Sequence, residues 1–130
     1  MGVRMMIDVG MIDHALVTHI TWKAHLRDAI EAGRSPWTVD DVKSDVMCEF
    51  GRWLREASVT DRRSAHWKKV RRRHVEFHQA AADVLALARE GRQKDAEEAL
   101  APGGLYGHAS ARLVKALMAW KAAVTADQGG

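Results

Sequence analysis

SAHWKKVRRRHVEFHQAAADVLALAREG, residues 64 to 91, is the stretch whose reading decides the fold. Its apolar residues recur as Trp67, Val70, Phe77, Ala81, Val84, Leu85 and Ala88, at the spacings of three and four that place them on one stripe of an α-helix. His74 and His78 fall on that same stripe. The helix is predicted to start at Asp61 or Ser64 and to stop near Gly91, where glycine accepts a left-handed conformation without a Cβ penalty. Two histidines four residues apart on a buried face are either a pair satisfied by hydrogen bonds or a pair aimed at one ion.

Working outward, Ile12, Ala15, Leu16, Trp22, Leu26, Ala29 and Ile30 predict an earlier helix that stops at Gly33. His19 lies inside its stripe, and leaving that ring buried and unpaired would cost about 1 to 3 kcal/mol. Ser35-Pro36-Trp37 breaks the pattern, and Thr38 is placed to cap a second helix whose first turn carries Asp40 and Asp41. The stripe Val39, Val42, Val46, Phe50, Trp53 and Ala57 predicts that this helix runs to about Ala57. Cys48 then comes out nearly opposite the middle of the stripe. Either the helix is irregular near Gly51, or its two faces meet different neighbours. A short helix is expected from about Gln93 to Leu100, then a break at Pro102-Gly103-Gly104. A last helix follows from about Tyr106 to Thr125, with Leu113, Ala116, Leu117, Trp120 and Val124 inward. The expectation is an all-α fold, a helical bundle of about four main helices plus short extra ones. No repeat or boundary divides residues 1–130, which read as a single domain.

Composition agrees with helix. The 130 residues are 47% hydrophobic with one tyrosine and two prolines, short of the β-branched and aromatic density of strands, and long enough to bury one ordinary core. A lone cysteine, Cys48, has no partner for a disulfide within the chain, so its thiol is reduced, metal-bound, reactive or paired with another chain. A reducing, cytoplasmic setting fits best. Arg4, Asp8, Asp13 and His14 interrupt any signal-peptide apolar region, and no apolar run is long enough for membrane insertion. Lys68, Lys69, Arg71, Arg72 and Arg73 concentrate positive charge in a chain of formal charge +3. They fall on or beside the face opposite the stripe, as a solvated face does. Nucleic acid is the competing reading and not the expected partner.

Three separated segments carry a family resemblance: His19-Ile-Thr-Trp22, Cys48-Glu-Phe50-Gly51-Arg-Trp53 and His74-Val-Glu-Phe-His78. In this order and spacing they resemble the zinc motif of the chemoreceptor zinc-binding domains, bacterial cytoplasmic domains usually attached to chemoreceptors or diguanylate cyclases. The motif spans residues 19–78. The tail, Gly104-Leu-Tyr106 with Ser110 and Leu113, is similar to the family's last helix but less distinctive. The resemblance implies that His19, Cys48, His74 and His78 hold one zinc ion per chain between helices, often in a homodimer. Trp22 and Trp53 either shield the ion or are plain core. Gly51 either permits close approach of another helix or is simply tolerated.

Three histidines and one thiolate complete a tetrahedron, leaving no position for a catalytic water. Glu76, two residues from each of His74 and His78, points about 200° away and does not serve as a general base. Paired Glu-x-x-His units of a di-iron bundle are lacking. The chain therefore reads as a regulatory module and not an enzyme. Its zinc-bound thiolate would sense zinc scarcity or an oxidant such as hypochlorous acid, with Cys48 the redox-reactive group. Neither a receptor coiled coil nor a cyclase domain is visible in the sequence. Output is thus expected to pass to a chemotaxis or cyclic-di-GMP signalling partner in trans, or to a second copy, unless the chain is part of something larger. The alternative is a structural zinc module for dimerisation or protein binding.

Overall fold

The computed structural model describes residues 7–45 and 48–129. All its regular secondary structure among these residues is helical: α1 (Val9–Ala32), α2 (Val39–Lys43), α3 (Glu49–Arg55), α4 (Val59–Arg62), α5 (Ala65–Arg89), α6 (Gln93–Leu100) and α7 (Leu105–Gly129). The all-α bundle is as expected. The stretch quoted first forms its axis: α5 packs against every other helix. Its predicted stripe from Trp67 to Ala88 is buried throughout.

Local chemistry sets the ends. The Asp8 carboxylate accepts from Gly10 N at 2.8 Å and opens α1, and Gly33, at φ 70°, closes it by donating to Ala29 O. Thr38 accepts from Asp41 N and caps α2, with Asp40 and Asp41 in its first turn. Ser64, of the two expected starts, caps α5 through Trp67 N. Gly91, at φ 77°, follows its last turn. The extra turn α4 is capped by Ser58. From α7, Leu113, Ala116, Leu117, Trp120 and Val124 all reach the core, where they meet Ile12, Leu26, Phe50, Leu54, Phe77 and Leu85.

The second predicted helix requires correction. It is not continuous to Ala57 but two short helices: α2 stops at Lys43 and α3 begins at Glu49. Ser44 turns extended, with ψ 115°, and Cys48 is extended too, at φ −92° and ψ 134°. Cys48 is the residue that precedes α3, so its helical angle relative to the stripe has no meaning. Of that stripe, Val46 lies outside the described residues. The break precedes Gly51, and Gly51 explains how it packs. A Cβ at Gly51 would overlap the Asp45 carbonyl oxygen and stand 3.1 Å from His74 Cε1. The returning backbone of the break makes the closest approach that glycine permits, and α5 follows through His74.

Candidate metal centre

Four side chains from three parts of the chain converge. His19 comes from the middle of α1, His74 and His78 from consecutive turns of α5, and Cys48 from the start of α3. One donor atom from each lies within 4.8 Å of all the others. His74 Nε2 is 3.1 Å from His19 Nε2 and 3.0 Å from His78 Nε2, and Cys48 Sγ is 3.8 Å from His19 Nε2. A zinc tetrahedron with bonds of about 2.0 to 2.1 Å to nitrogen and about 2.3 Å to sulfur has edges of roughly 3.3 to 3.6 Å. The cluster is close to that size.

Hydrogen bonding fixes the direction of the lone pairs. His19 Nδ1 is 2.6 Å from Ala15 O, and His78 Nδ1 is 2.9 Å from Val42 O. A carbonyl only accepts, so both Nδ1 atoms carry protons and both Nε2 atoms present lone pairs to the centre. Backbone acceptance of the outer ring proton is the usual second support of a metal-bound histidine. The break after α2 supplies one of these acceptors. Val42 lies in the last turn of α2, where carbonyls lack the helical partners of a continuous helix, and its oxygen accepts from His78 Nδ1. His74 stands between the other two and can donate a single Nε2 proton to only one of them. With that proton on Nδ1 both Nε2 contacts oppose lone pairs at about 3 Å, and with it on Nε2 one of the two neighbouring rings is left facing His74 without a donor. A cation at the centre removes this conflict, and with it the residues present fit a zinc ion. His74 Nδ1 is buried without a hydrogen-bond partner among the described residues.

The surroundings keep the imidazoles neutral. His19, His74 and His78 are 1%, 0% and 4% exposed. Burial pushes the pKa of His19 from 6.5 to about 4, opposed by its bond to Ala15. Burial, together with His78 and His19, takes His74 to about 2. Burial also lowers His78, against the bond to Val42. Neutral imidazole is the form that binds metal. The rings in edge contact with the site are phenylalanines: Phe50 packs 5.2 Å from His74 and 6.0 Å from His19, and Phe77 packs 5.0 Å from His19. Tyr106 covers Phe77 at 5.3 Å and sends its hydroxyl toward His19 O at 3.5 Å, its pKa raised by burial.

Sequence reasoning singled out neither Phe50 nor Phe77, although both stand within the quoted motifs and Phe77 shares the face of His74. The carbonyls of Ala15 and Val42 left no sequence signal. Trp22 packs against Trp37 at 5.0 Å in a tilted contact and against His25 at 5.4 Å edge-on. With Cys48 and His78 it lines a cavity of about 340 Å³. Trp53 lies one ring farther out, stacked on Phe50 and against Trp120. Glu76 is paired with Arg73 at 3.1 Å. His14 lies 3.7 Å from Glu49 at the surface.

Among the described residues no helix is long and apolar enough to cross a membrane. Neither the curated proteins nor the solved structures compared with this chain provide a match. Residues 19–85 match the family model of the chemoreceptor zinc-binding domain, more than half of the 130 residues and the whole of the segment that holds the cluster. That family consists of regulatory zinc-binding domains that work with signalling proteins, and together with the three-histidine, one-cysteine cluster it points to zinc. The chain belongs to the chemoreceptor zinc-binding domain family.

Proposed function

We propose that His19, Cys48, His74 and His78 hold one zinc ion per chain, and that Cys48 makes this ion a switch in a cytoplasmic signalling pathway. The observation that carries the reading is the convergence of Nε2 lone pairs whose tautomers are set by Ala15 O and Val42 O. Bound zinc supplies the positive charge that lets thiolate and imidazoles share one centre. With four protein donors no position remains for a reacting water, so the role is regulatory and not catalytic.

The protein's own part in switching falls to Cys48. It is half-buried and borders the cavity, whereas the histidines are shut in the core. Hypochlorous acid would transfer chlorine to the Cys48 sulfur, breaking the O–Cl bond and expelling hydroxide. Water would then displace chloride to leave a sulfenic acid. Two electrons leave sulfur and reduce the chlorine to chloride, and the product is a poorer ligand. Zinc scarcity reaches the same end by emptying the site. Either way α3 loses its tether to α1 and α5, and a signalling protein, or a second copy of this chain, reads the change.

Native mass spectrometry of the untagged chain, purified without added metal, tests this before and after mild oxidation. One zinc per chain, lost on oxidation in the wild type but unresponsive to oxidant in Cys48→Ser, is the expected result. Zinc retained through oxidation of Cys48 would leave a structural staple, and no bound metal would defeat the ligand assignment.

A further inference from the structure

Between Arg52 and Arg73 stand nine lysines and arginines but only two carboxylates, Glu56 and Asp61. This stretch alone exceeds the formal charge of the whole chain, +3, so the remainder is net negative. The cations come from three helices: Arg52 and Arg55 from α3, Arg62 from α4, and Lys68, Lys69, Arg71 and Arg72 from α5. All seven are exposed.

The folded chain gathers them. The guanidinium groups of Arg62 and Arg71 lie 5.9 and 6.0 Å from the Trp67 ring centroid, and Arg62 also donates to Arg55 O. Trp67 Nε1 donates to Leu54 O at 3.1 Å, tying the end of α3 to the start of α5. Guanidinium groups held over a ring retain donor N–H groups, those of Arg62 apart from the one given to Arg55 O, which suits carboxylate recognition. Nothing in α5 offsets this charge where it is densest. Its first turn carries no acidic residue, and Lys68 and Arg72 repel at i and i+4 next to the positive end of the helix dipole. Of the α5 cations named in the sequence, Arg73 has a carboxylate, Glu76. An arrangement unfavourable in isolation is relieved by an anionic surface.

We infer that this basic surface, built from α3, α4 and the start of α5, is where the domain docks an acidic, carboxylate-rich segment of the protein to which it reports. A short acidic segment suits the observations better than nucleic acid. A long polyanion laid over the patch would run onto the net-negative remainder of the chain. The patch also offers no exposed aromatic ring for base stacking, because Trp67 is buried beneath its arginines. Docking is coupled to the metal centre through α3, a connection that rests on the proposed zinc switch. Cys48 stands at one end of this seven-residue helix and Arg52 and Arg55 near the other. Release of Cys48 frees the N-terminal end of α3, leaves the helix held by Phe50, Trp53 and Leu54, and shifts two of the seven cations.

The test is fluorescence anisotropy of a labelled oligoglutamate peptide on the full, zinc-loaded chain. Lys68→Glu/Lys69→Glu/Arg72→Glu should weaken binding by about tenfold or more, with zinc content and helicity unchanged. Arg27→Glu/Arg34→Glu/Lys94→Glu, an equal charge reversal elsewhere, should leave it within about twofold, since screening confines the effect to the patch. Equal losses in both variants would reduce the binding to net charge and overturn the surface. Tighter binding of duplex DNA than of the peptide at the same salt would overturn the class of partner. Removing zinc from the wild type should change peptide affinity by about threefold or more, the lower end of coupling between sites. Unchanged affinity would overturn the coupling through α3 while the charge-reversal comparison still decides the surface.

Discussion

The two sides of the candidate metal centre are built differently. The histidine side is carried by α1 and α5, of 24 and 25 residues, with every ring in the core and two rings oriented by backbone carbonyls. The cysteine side is a break between helices of five and seven residues, with Cys48 half-buried against a cavity. One side is a preformed scaffold for the proposed ion. The other is the part on which the proposed switch would act, since Cys48 is half-buried where the histidines are shut in the core.

The largest effect should follow damage to the scaffold. His74→Ala removes the ring that stands between the other two and leaves a cavity against Phe50. If a four-ligand zinc site is worth about 10 to 16 kcal/mol, one donor in four is worth roughly 3, or about a hundredfold in affinity. Chelator competition should show at least that loss, with the melting temperature lowered even in the metal-free chain. Cys48→Ser should also weaken zinc, but metal-free stability should stay close to wild type. Equal losses of metal-free stability in the two variants would erase the distinction between scaffold and tether.

Gly51→Ala probes the seam between the two sides. Helix propensity alone would make it stabilising by about 1 kcal/mol. The added Cβ must displace the Asp45 carbonyl and crowd His74, and such overpacking costs about 1 to 3 kcal/mol. The expected sum is a lower urea midpoint and weaker zinc binding. A stabilised variant would mean that the break does not press on α3.

These same elements show what was legible. The stripe, cap and stop of α5 could be read because periodicity, Ser64 and Gly91 act locally. The four residues that converge were named through the resemblance of three short segments. The break between α2 and α3 was not, because Val42 and Phe50 keep a helical rhythm across it while packing against the same neighbour, α5. Tertiary contacts accompany the break: Val42 O accepts from His78 Nδ1, and the Asp45 carbonyl lies over Gly51. The phenylalanines around the rings escaped notice for a related reason, since an apolar residue beside a ligand looks like any other core residue until the rings are placed.

A smaller effect is a pH dependence confined to the metal-free histidine side. His19 is depressed to about 4 and His74 to about 2, both chiefly by burial, and unfolding returns them toward 6.5. Between the folded and unfolded values the unfolded chain binds more protons, so stability rises with pH there. It is fully present above about pH 6.5 and is lost as the pH falls, through about 4 for His19 and on toward 2 for His74. Urea midpoints of the chelated chain should therefore fall steeply over that window. A flat profile would mean that the apo histidines are not buried as neutral rings.

The smallest expected effect separates the two tryptophans of the zinc motif. Trp22 borders the cavity that reaches Cys48, while Trp53 is spent on Phe50 and Trp120. Trp22→Ala should open that cavity and raise the rate at which iodoacetamide alkylates Cys48 in the metal-free chain, because thiol reactivity depends on access as well as ionisation. Trp53→Phe should leave the rate unchanged and cost about 1 kcal/mol of stability through lost packing. Should Trp53→Phe accelerate alkylation as much as Trp22→Ala does, the thiol would be reached by movement of α3 as a whole. The cysteine side would then be a hinged element even before its tether is cut, and the cavity would be incidental to its chemistry.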